Sequence, residues 1–471
     1  MYASPLAWLR KAHCPNELEW IKRRVLSRIV AWLRSSHLGL ITMALGIGLG
    51  AGLGAVAFRW MVFATTWLVT GHEQWGQFGR VGSTHVPGLG IWFLLVAPAV
   101  GGLLYGPLIQ RFAPEARGHG VPEVMLAVAR NDGRIRPQVT IIKALASALC
   151  IGTGGSVGRE GPIVQIGSAL ASSIGQAVKS PPSRLRILVA CGAAGGIAAT
   201  FNAPVTGVLF SLELILRAYS VEALAPLVLA SVAADLVGRA FFGAGPIFGG
   251  IPHNLALAGN VDFLLVLALG LMASLIGVAF SHVLYRVEDF CDAIWSGRPE
   301  WCRPAVGGVF LGLLLLALPE LYGVGYPVIE RSVDGKYVLW LLALLVIGKI
   351  AATSLTMGIG GSGGVFAPSL FIGAAFGTAF GIVAQHIFGT AAGCPALYGV
   401  IAMGAVFASA TQAPLASIAS VVEMTGNYAL ILPVMLAVGV SVALSRRISR
   451  ATIYTKKLLR RGIDIDVAPA H

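Results

Sequence analysis

Apolar runs alternate with short polar connections along almost the whole chain. The apolar stretches run from Leu38 to Val69, Ile91 to Leu108, Ile187 to Leu216, Phe263 to Leu284, Val306 to Leu318, Leu339 to Leu355 and Leu430 to Leu444. A helix needs roughly 20 such residues to cross the hydrocarbon core. The polar connections at 71–88, 112–137, 178–186, 244–260 and 285–304 are all short, so no long soluble domain is expected. The pattern predicts an all-α integral membrane protein in which glycine and proline break several helices. Ahead of the first run, Leu18, Ile21, Val25, Ile29 and Leu33 recur at three- and four-residue steps between Cys14 and Arg34. That spacing predicts an amphipathic helix on the membrane surface and not a cleavable leader.

One stretch departs from the apolar rule. Gly152-Thr-Gly-Gly-Ser-Val-Gly-Arg-Glu-Gly-Pro162 sets Arg159 and Glu160 among glycines inside apolar sequence, and charges in lipid are costly enough to imply a function. The same frame returns as Gly358-Ile-Gly-Gly-Ser-Gly-Gly-Val-Phe-Ala-Pro368, with Val365-Phe366 in place of Arg159-Glu160. A second pair follows: Asn202-Ala-Pro204 with Glu213, and Gln412-Ala-Pro414 with Glu423. The offsets, 358 − 152 = 206 and 414 − 204 = 210, agree closely enough to indicate an internal duplication. We divide the chain into a cytoplasmic amphipathic segment 1–37, a first membrane repeat 38–245, a second 246–445 and a basic cytoplasmic tail 446–471.

The charge of +13 falls largely at the two ends. Seven Lys/Arg lie in 1–37 and seven more in 446–471, which by the positive-inside rule puts both termini in the cytoplasm and makes nucleic-acid binding unnecessary as an explanation. If each repeat crosses the membrane an odd number of times, the second is inverted relative to the first and both termini end on one side, as the basic residues require. Such repeats place binding sites near the midplane, where broken helices converge. Each glycine frame ends in a proline before a helical run, Ile163–Ala177 and Ser369–His386. Two helix N-termini with free N–H groups would then meet inside the membrane, which is an anion site. Of six cysteines, only Cys291 and Cys302 are close enough for a disulfide, and free thiols are the favoured state. No metal-ligand spacing occurs.

Gly118-His-Gly-Val-Pro122, Gly158-Arg-Glu-Gly-Pro162, Gly364-Val-Phe-Ala-Pro368 and Tyr454 resemble, in order, the three anion motifs and the pore tyrosine of the CLC family of chloride channels and proton-coupled chloride transporters. The resemblance covers nearly all of 38–460. It implies a CLC-type inverted-repeat bundle of broken and tilted helices, a homodimer with one anion pathway per subunit, and residence in a bacterial inner membrane. Chloride or a related anion would be the substrate, with protons as a second one, and no cofactor or metal is needed. Glu160 resembles the gating glutamate. Gly118, His119, Gly120, Arg159, Glu160, Gly161, Val365, Phe366 and Tyr454 would line the anion, mostly through backbone N–H groups, with Tyr454 donating its hydroxyl. Lys143 resembles a family lysine and would raise the local potential.

Two positions depart from the family pattern. His119 stands where serine or proline is usual, and an imidazole alters both hydrogen bonding and charge. Where exchangers carry paired glutamates after Asn-Ala-Pro, this chain has Glu213 and Leu214. The proton pathway would include Glu160 and Glu213, and Leu214 inclines the reading toward a channel-like or weakly coupled conductor, with a tightly coupled proton/chloride antiporter as the alternative. The chain ends soon after Tyr454, so nucleotide-binding regulatory domains are not expected. Plainer readings stand beside these. Arg159 and Glu160 would satisfy one another, Glu213 and Glu423 would be caps or interface carboxylates, His119 would bond a backbone carbonyl, and Tyr454 would anchor at the interface. Gly154–Gly158 and Gly360–Gly364 also fit G-x-S-x-G, the string of a serine hydrolase, with His282 or His386 as a base. That enzyme reading leaves Glu160 and the flanking prolines unexplained.

Overall fold

The computed structural model describes residues 24, 27–73, 75–77, 81–252, 255–257 and 259–465. The part of the Cys14–Arg34 helix before Ser27, apart from Arg24, lies outside the described residues; 27–35 are helical. Two successive sets of eight helices follow. The first is α1 (His37–Thr70), α2 (Phe93–Phe112), α3 (Val121–Arg130), α4 (Gln138–Gly152), α5 (Glu160–Ala177), α6 (Pro182–Phe201), α7 (Pro204–Phe210) and α8 (Val221–Phe242). The second is α9 (Asn260–Trp295), α10 (Arg303–Ala317), α11 (Tyr326–Val333), α12 (Leu339–Gly358), α13 (Phe366–Phe388), α14 (Pro395–Thr411), α15 (Pro414–Thr425) and α16 (Ile431–Ile448). A short α17 (Thr455–Arg460) closes the chain. Among the described residues, nine helices are long and apolar enough to cross a membrane, so the protein is a multi-pass integral membrane protein.

Hydrophobic pattern alone misjudged several boundaries. The apolar run Ile187–Leu216 is two helices, broken where Asn202 adopts a left-handed φ of 53°; Gln412, with φ 56°, breaks the second repeat in the same place. After each break comes Ala-Pro, whose ring occupies a first-turn position with no hydrogen bond to lose. The polar connection 112–137 contains α3, whose Val121, Pro122, Val124 and Met125 are buried, and α9 extends well into the connection expected at 285–304.

Helices pack in corresponding pairs: α5 on α6 and α13 on α14, α1 on α8 and α9 on α16. Small residues permit this closeness. At the α5–α6 crossing, a Cβ on Gly167 would fall 2.2 Å from the Gly192 carbonyl oxygen, and one on Gly192 would fall 2.1 Å from that of Gly167.

Candidate functional site

Three glycine-rich segments are stitched together by backbone hydrogen bonds at the centre of the molecule. Gly158 and Gly364, the same position in the two glycine frames, donate to one another's carbonyls at 2.8 and 2.6 Å. Gly118 N donates to Gly361 O at 3.0 Å, and Gly363 N returns to Gly118 O at 3.3 Å. Equivalent residues of two copies can pair reciprocally only near a two-fold axis. This lattice brings the N-terminal turn of α5 (Glu160, Gly161) against that of α13 (Phe366, Ala367), with Val365 and Phe366 fully buried. The helices begin two residues before Pro162 and Pro368, so Glu160 lies in the first turn of α5.

Glu160 is 2% exposed. Its carboxylate reaches across to the other repeat: Tyr326 Oη donates to Oε1 at 2.6 Å, and Ala367 N, in the first turn of α13, donates to Oε2 at 3.4 Å. The space it occupies exists because residue 158 is glycine, whose Cβ would fall 1.8 Å from Oε2. Arg159 makes no ion pair with it. The guanidinium instead lies 4.9 Å from the Tyr326 ring centre and 5.7 Å from that of Phe201, and its Nε has no partner. The mutually satisfied Arg159–Glu160 pair is therefore not formed.

His119 and Tyr454 come together on another side of the stitched segments. Gly118 and Gly120, flanking His119, both have positive φ, 80° and 82°, and Lys143 Nζ holds the loop by donating to Ala116 O (2.9 Å) and Gly118 O (2.8 Å). The Lys143 ammonium thus fixes the loop directly. His119 is 1% exposed, and neither ring nitrogen has a hydrogen-bond partner. Burying such a group unpartnered costs a few kcal/mol, typically about 1–3, so the site calls for something to bond it. The imidazole is not tied to a backbone carbonyl. Its ring faces those of Tyr285 and Tyr454 at 6.2 and 6.4 Å. Tyr454 is buried, not interfacial. Ile453 N donates to Ala410 O (2.8 Å) and Tyr285 Oη to Ile453 O (2.5 Å), while Arg460 at the end of α17 pairs with Asp289 and Glu288, and Arg461, just after it, pairs with Glu123 at 2.7 Å.

Glu213 lies in a π-helical turn extending α7. Its carboxylate accepts from Leu415 N (3.0 Å) and Ala416 N (2.8 Å) at the start of α15. Glu423 does the same for Val205 N (2.9 Å) and Thr206 N (2.7 Å) at the start of α7. The two carboxylates are reciprocal helix caps. The G-x-S-x-G serines are also committed to packing. Ser156 Oγ donates to Leu321 O at 2.6 Å, and Ser362 Oγ to Ala116 O at 2.8 Å. His282 Nδ1 sits 2.9 Å from Val278 O in its own helix, and His386 is exposed at the end of α13. Cys291 and Cys302 are free thiols.

Sequence reasoning missed Tyr326 and Lys349, although the duplication carried a signal for both. Gly323-Val-Gly-Tyr-Pro327 repeats Gly118-His-Gly-Val-Pro122 at an offset of 323 − 118 = 205, with Gly325 (φ 89°) matching Gly120. Lys349 repeats Lys143 at 349 − 143 = 206, and its Nζ donates to Gly323 O at 3.1 Å as Lys143 does to Gly118 O.

The voltage gated chloride channel family model matches residues 101–446. The chain is 33% identical over 422 residues to a putative chloride channel protein ClcB-like of Ralstonia nicotianae, covering 89% of this chain and 96% of that one. It is 35% identical over 364 residues to the H(+)/Cl(-) exchange transporter ClcA of Vibrio cholerae, covering 75% and 76%. Among solved structures it resembles a slow cyanobacterial Cl-/H+ antiporter with a TM-score of 0.79 and 25% identity, over 90% of this chain and 97% of that one. These are channels and transporters, and the hydrolase reading is set aside. With the stitched glycine motifs at its centre and this breadth of likeness, the chain belongs to the voltage gated chloride channel family, the CLC proteins.

Proposed function

We propose that the protein conducts chloride through a pathway running from His119 and Tyr454 past the stitched amides to Glu160, whose carboxylate closes it. The observation that carries this reading is the seat of Glu160. A carboxylate that accepts from Ala367 N in the first turn of α13 occupies the place an anion would take at a helix N-terminus, so anion and gate compete for the same donor. The unpartnered imidazole of His119 supports an anion or water bound beside Tyr454. Backbone N–H groups of Arg159, Glu160, Gly161, Val365 and Phe366 would complete the coordination.

On coupling, we favour a channel-like or weakly proton-coupled conductor. Leu214 cannot relay a proton, and Glu213 is engaged as a cap in the same manner as Glu423, which has no proton role in this reading. Tight proton/chloride antiport is the second reading, favoured by the names of the Vibrio cholerae relative and the cyanobacterial structure. We further read the protein as a homodimer of two pathways in a bacterial inner membrane. Both termini would be cytoplasmic, on the strength of the basic residues at each end. The test is simultaneous chloride and proton flux from liposomes with a chloride gradient as the only driving force. Chloride flux without proton movement supports the conductor, and uphill proton movement abolished by Glu160→Gln establishes the antiporter. No chloride flux in the wild-type protein overturns both.

A further inference from the structure

A cavity of ≈ 340 Å³ lies beside the gate, lined by Arg59, Arg159, Trp75, Phe242 and Tyr326 among others. Arg59 is the single Lys, Arg, Asp or Glu in the whole of α1. An ionisable residue in a membrane helix normally has a partner or a task, yet among the described residues Arg59 has no ion pair and its Nε is buried without a hydrogen bond. Its guanidinium rests on the Phe242 ring at 3.9 Å and near Phe63 at 5.3 Å, contacts with aromatic faces that leave the N–H groups free. Arg159, 6% exposed with an unpartnered Nε, points into the same space. Two like charges are thus held toward one cavity with no carboxylate paired to either.

The acids lining the cavity are placed differently. Glu73 lies beyond the Gly71 cap of α1. The α1 segment from Arg59 to Thr70 alone measures about 16 Å at 1.5 Å per residue. Glu330 is one turn further along α11 than Tyr326, beside Gly250, and Asp235 is paired with Arg239 at 2.6 Å. Glu73 and Glu330 therefore lie away from the arginines, and Asp235, buried on α8, is neutralised by Arg239.

We propose that Arg59 and Arg159 form a second anion site, which holds the transported halide in the cavity immediately before it displaces the Glu160 carboxylate. Paired charges in a low-dielectric cleft raise the local concentration of a counter-ion, and a waiting halide supplies the competitor that the seated carboxylate must yield to. This inference rests on the chloride-conducting reading above and extends it by one site.

The experiment is crystallography of the purified protein in bromide, with the bromide located by its anomalous scattering, together with chloride flux at varied chloride on the cavity side. Expected is a bromide peak between the two guanidiniums. In flux, Arg59→Gln should raise the half-saturating chloride about five- to tenfold with maximal flux retained, while Arg59→Lys stays near wild type. A bromide peak beside His119 and Tyr454 with none at the arginines overturns the inference and leaves the conduction pathway standing. A peak at the arginines alone supports the inference and overturns the His119 site; peaks at neither overturn both. Unchanged half-saturation in Arg59→Gln also overturns the inference. If that variant does not fold, the bromide result on the native protein decides.

Discussion

Replacing Tyr326 by phenylalanine removes one oxygen and keeps the ring that packs at 5.5 Å on Phe248 and at 4.9 Å from the Arg159 guanidinium. What is lost is the 2.6 Å hydrogen bond to Glu160 Oε1, the shorter of the two bonds from other residues that seat the carboxylate; the other, from Ala367 N, is 3.4 Å. A hydrogen bond to a charged group is worth about 1.5–3 kcal/mol, and 1.4 kcal/mol is a factor of ten. The ratio of seated to unseated gate should therefore fall roughly 10- to 150-fold. The assay is initial chloride efflux from liposomes at neutral pH. Tyr326→Phe should raise efflux toward that of Glu160→Ala, where no carboxylate competes. Because the hydroxyl acts only through that carboxylate, Tyr326→Phe should change nothing further once Glu160 is alanine. An equal change in both backgrounds would mean that Tyr326 acts on the anion or the fold directly, and the gate argument would fail.

Three other outcomes follow from the same geometry. Gly158→Ala places a methyl 1.8 Å from Glu160 Oε2, so the carboxylate must leave its seat and neutral-pH efflux should rise; efflux at or below the wild-type level counts against the seat. His119→Ser exchanges an unpartnered imidazole for a small hydroxyl and should reorder the preference among chloride, bromide and nitrate, read as relative efflux rates. Glu213→Ala and Glu423→Ala each strip two backbone N–H groups of their acceptor. Each should cost about 0.5–2 kcal/mol, seen as a similar drop in denaturation temperature, with the ratio of proton to chloride flux unchanged in both.

Much of this arrangement was legible in the sequence because the chain repeats itself. Glycine frames 206 residues apart located the central lattice, and Glu160 stood out as an acid in apolar sequence. The plainer reading of Glu213 and Glu423 was also accessible, since each follows its Ala-Pro by nine residues and each caps the other repeat's helix. What the hydrophobic pattern could not register was backbone reversal. The break at Asn202 sits inside an apolar run, and α3 hides in a stretch whose charged ends, Arg117 and Arg130, make it look like a loop. Tyr326 escaped because it stands in the repeat where the matching residue, Val121, is apolar. Arg59 escaped because nothing in a linear pattern shows which cavity a lone arginine faces.

The duplication explains why the scaffold is symmetric; the side chains explain why the proposed pathway is not. In the two Gly-x-Gly-x-Pro loops the polar residue falls at different places, His119 in the first and Tyr326 in the second. Lysines at equivalent positions, Lys143 and Lys349, hold both loops by the same carbonyl, so the backbones stay equivalent while the residues they present differ. Tyr326 supports the carboxylate, and His119 is left open beside Tyr454. The two glycine frames are broken in the same sense, with an acid at Glu160 and phenylalanine at Phe366. A second carboxylate there would face the first across the Gly158–Gly364 pair, and like charges at close range cannot both stay ionised in a buried site. In the proposed pathway, one acid between two helix N-termini leaves a net attraction for an anion while still providing something for it to displace.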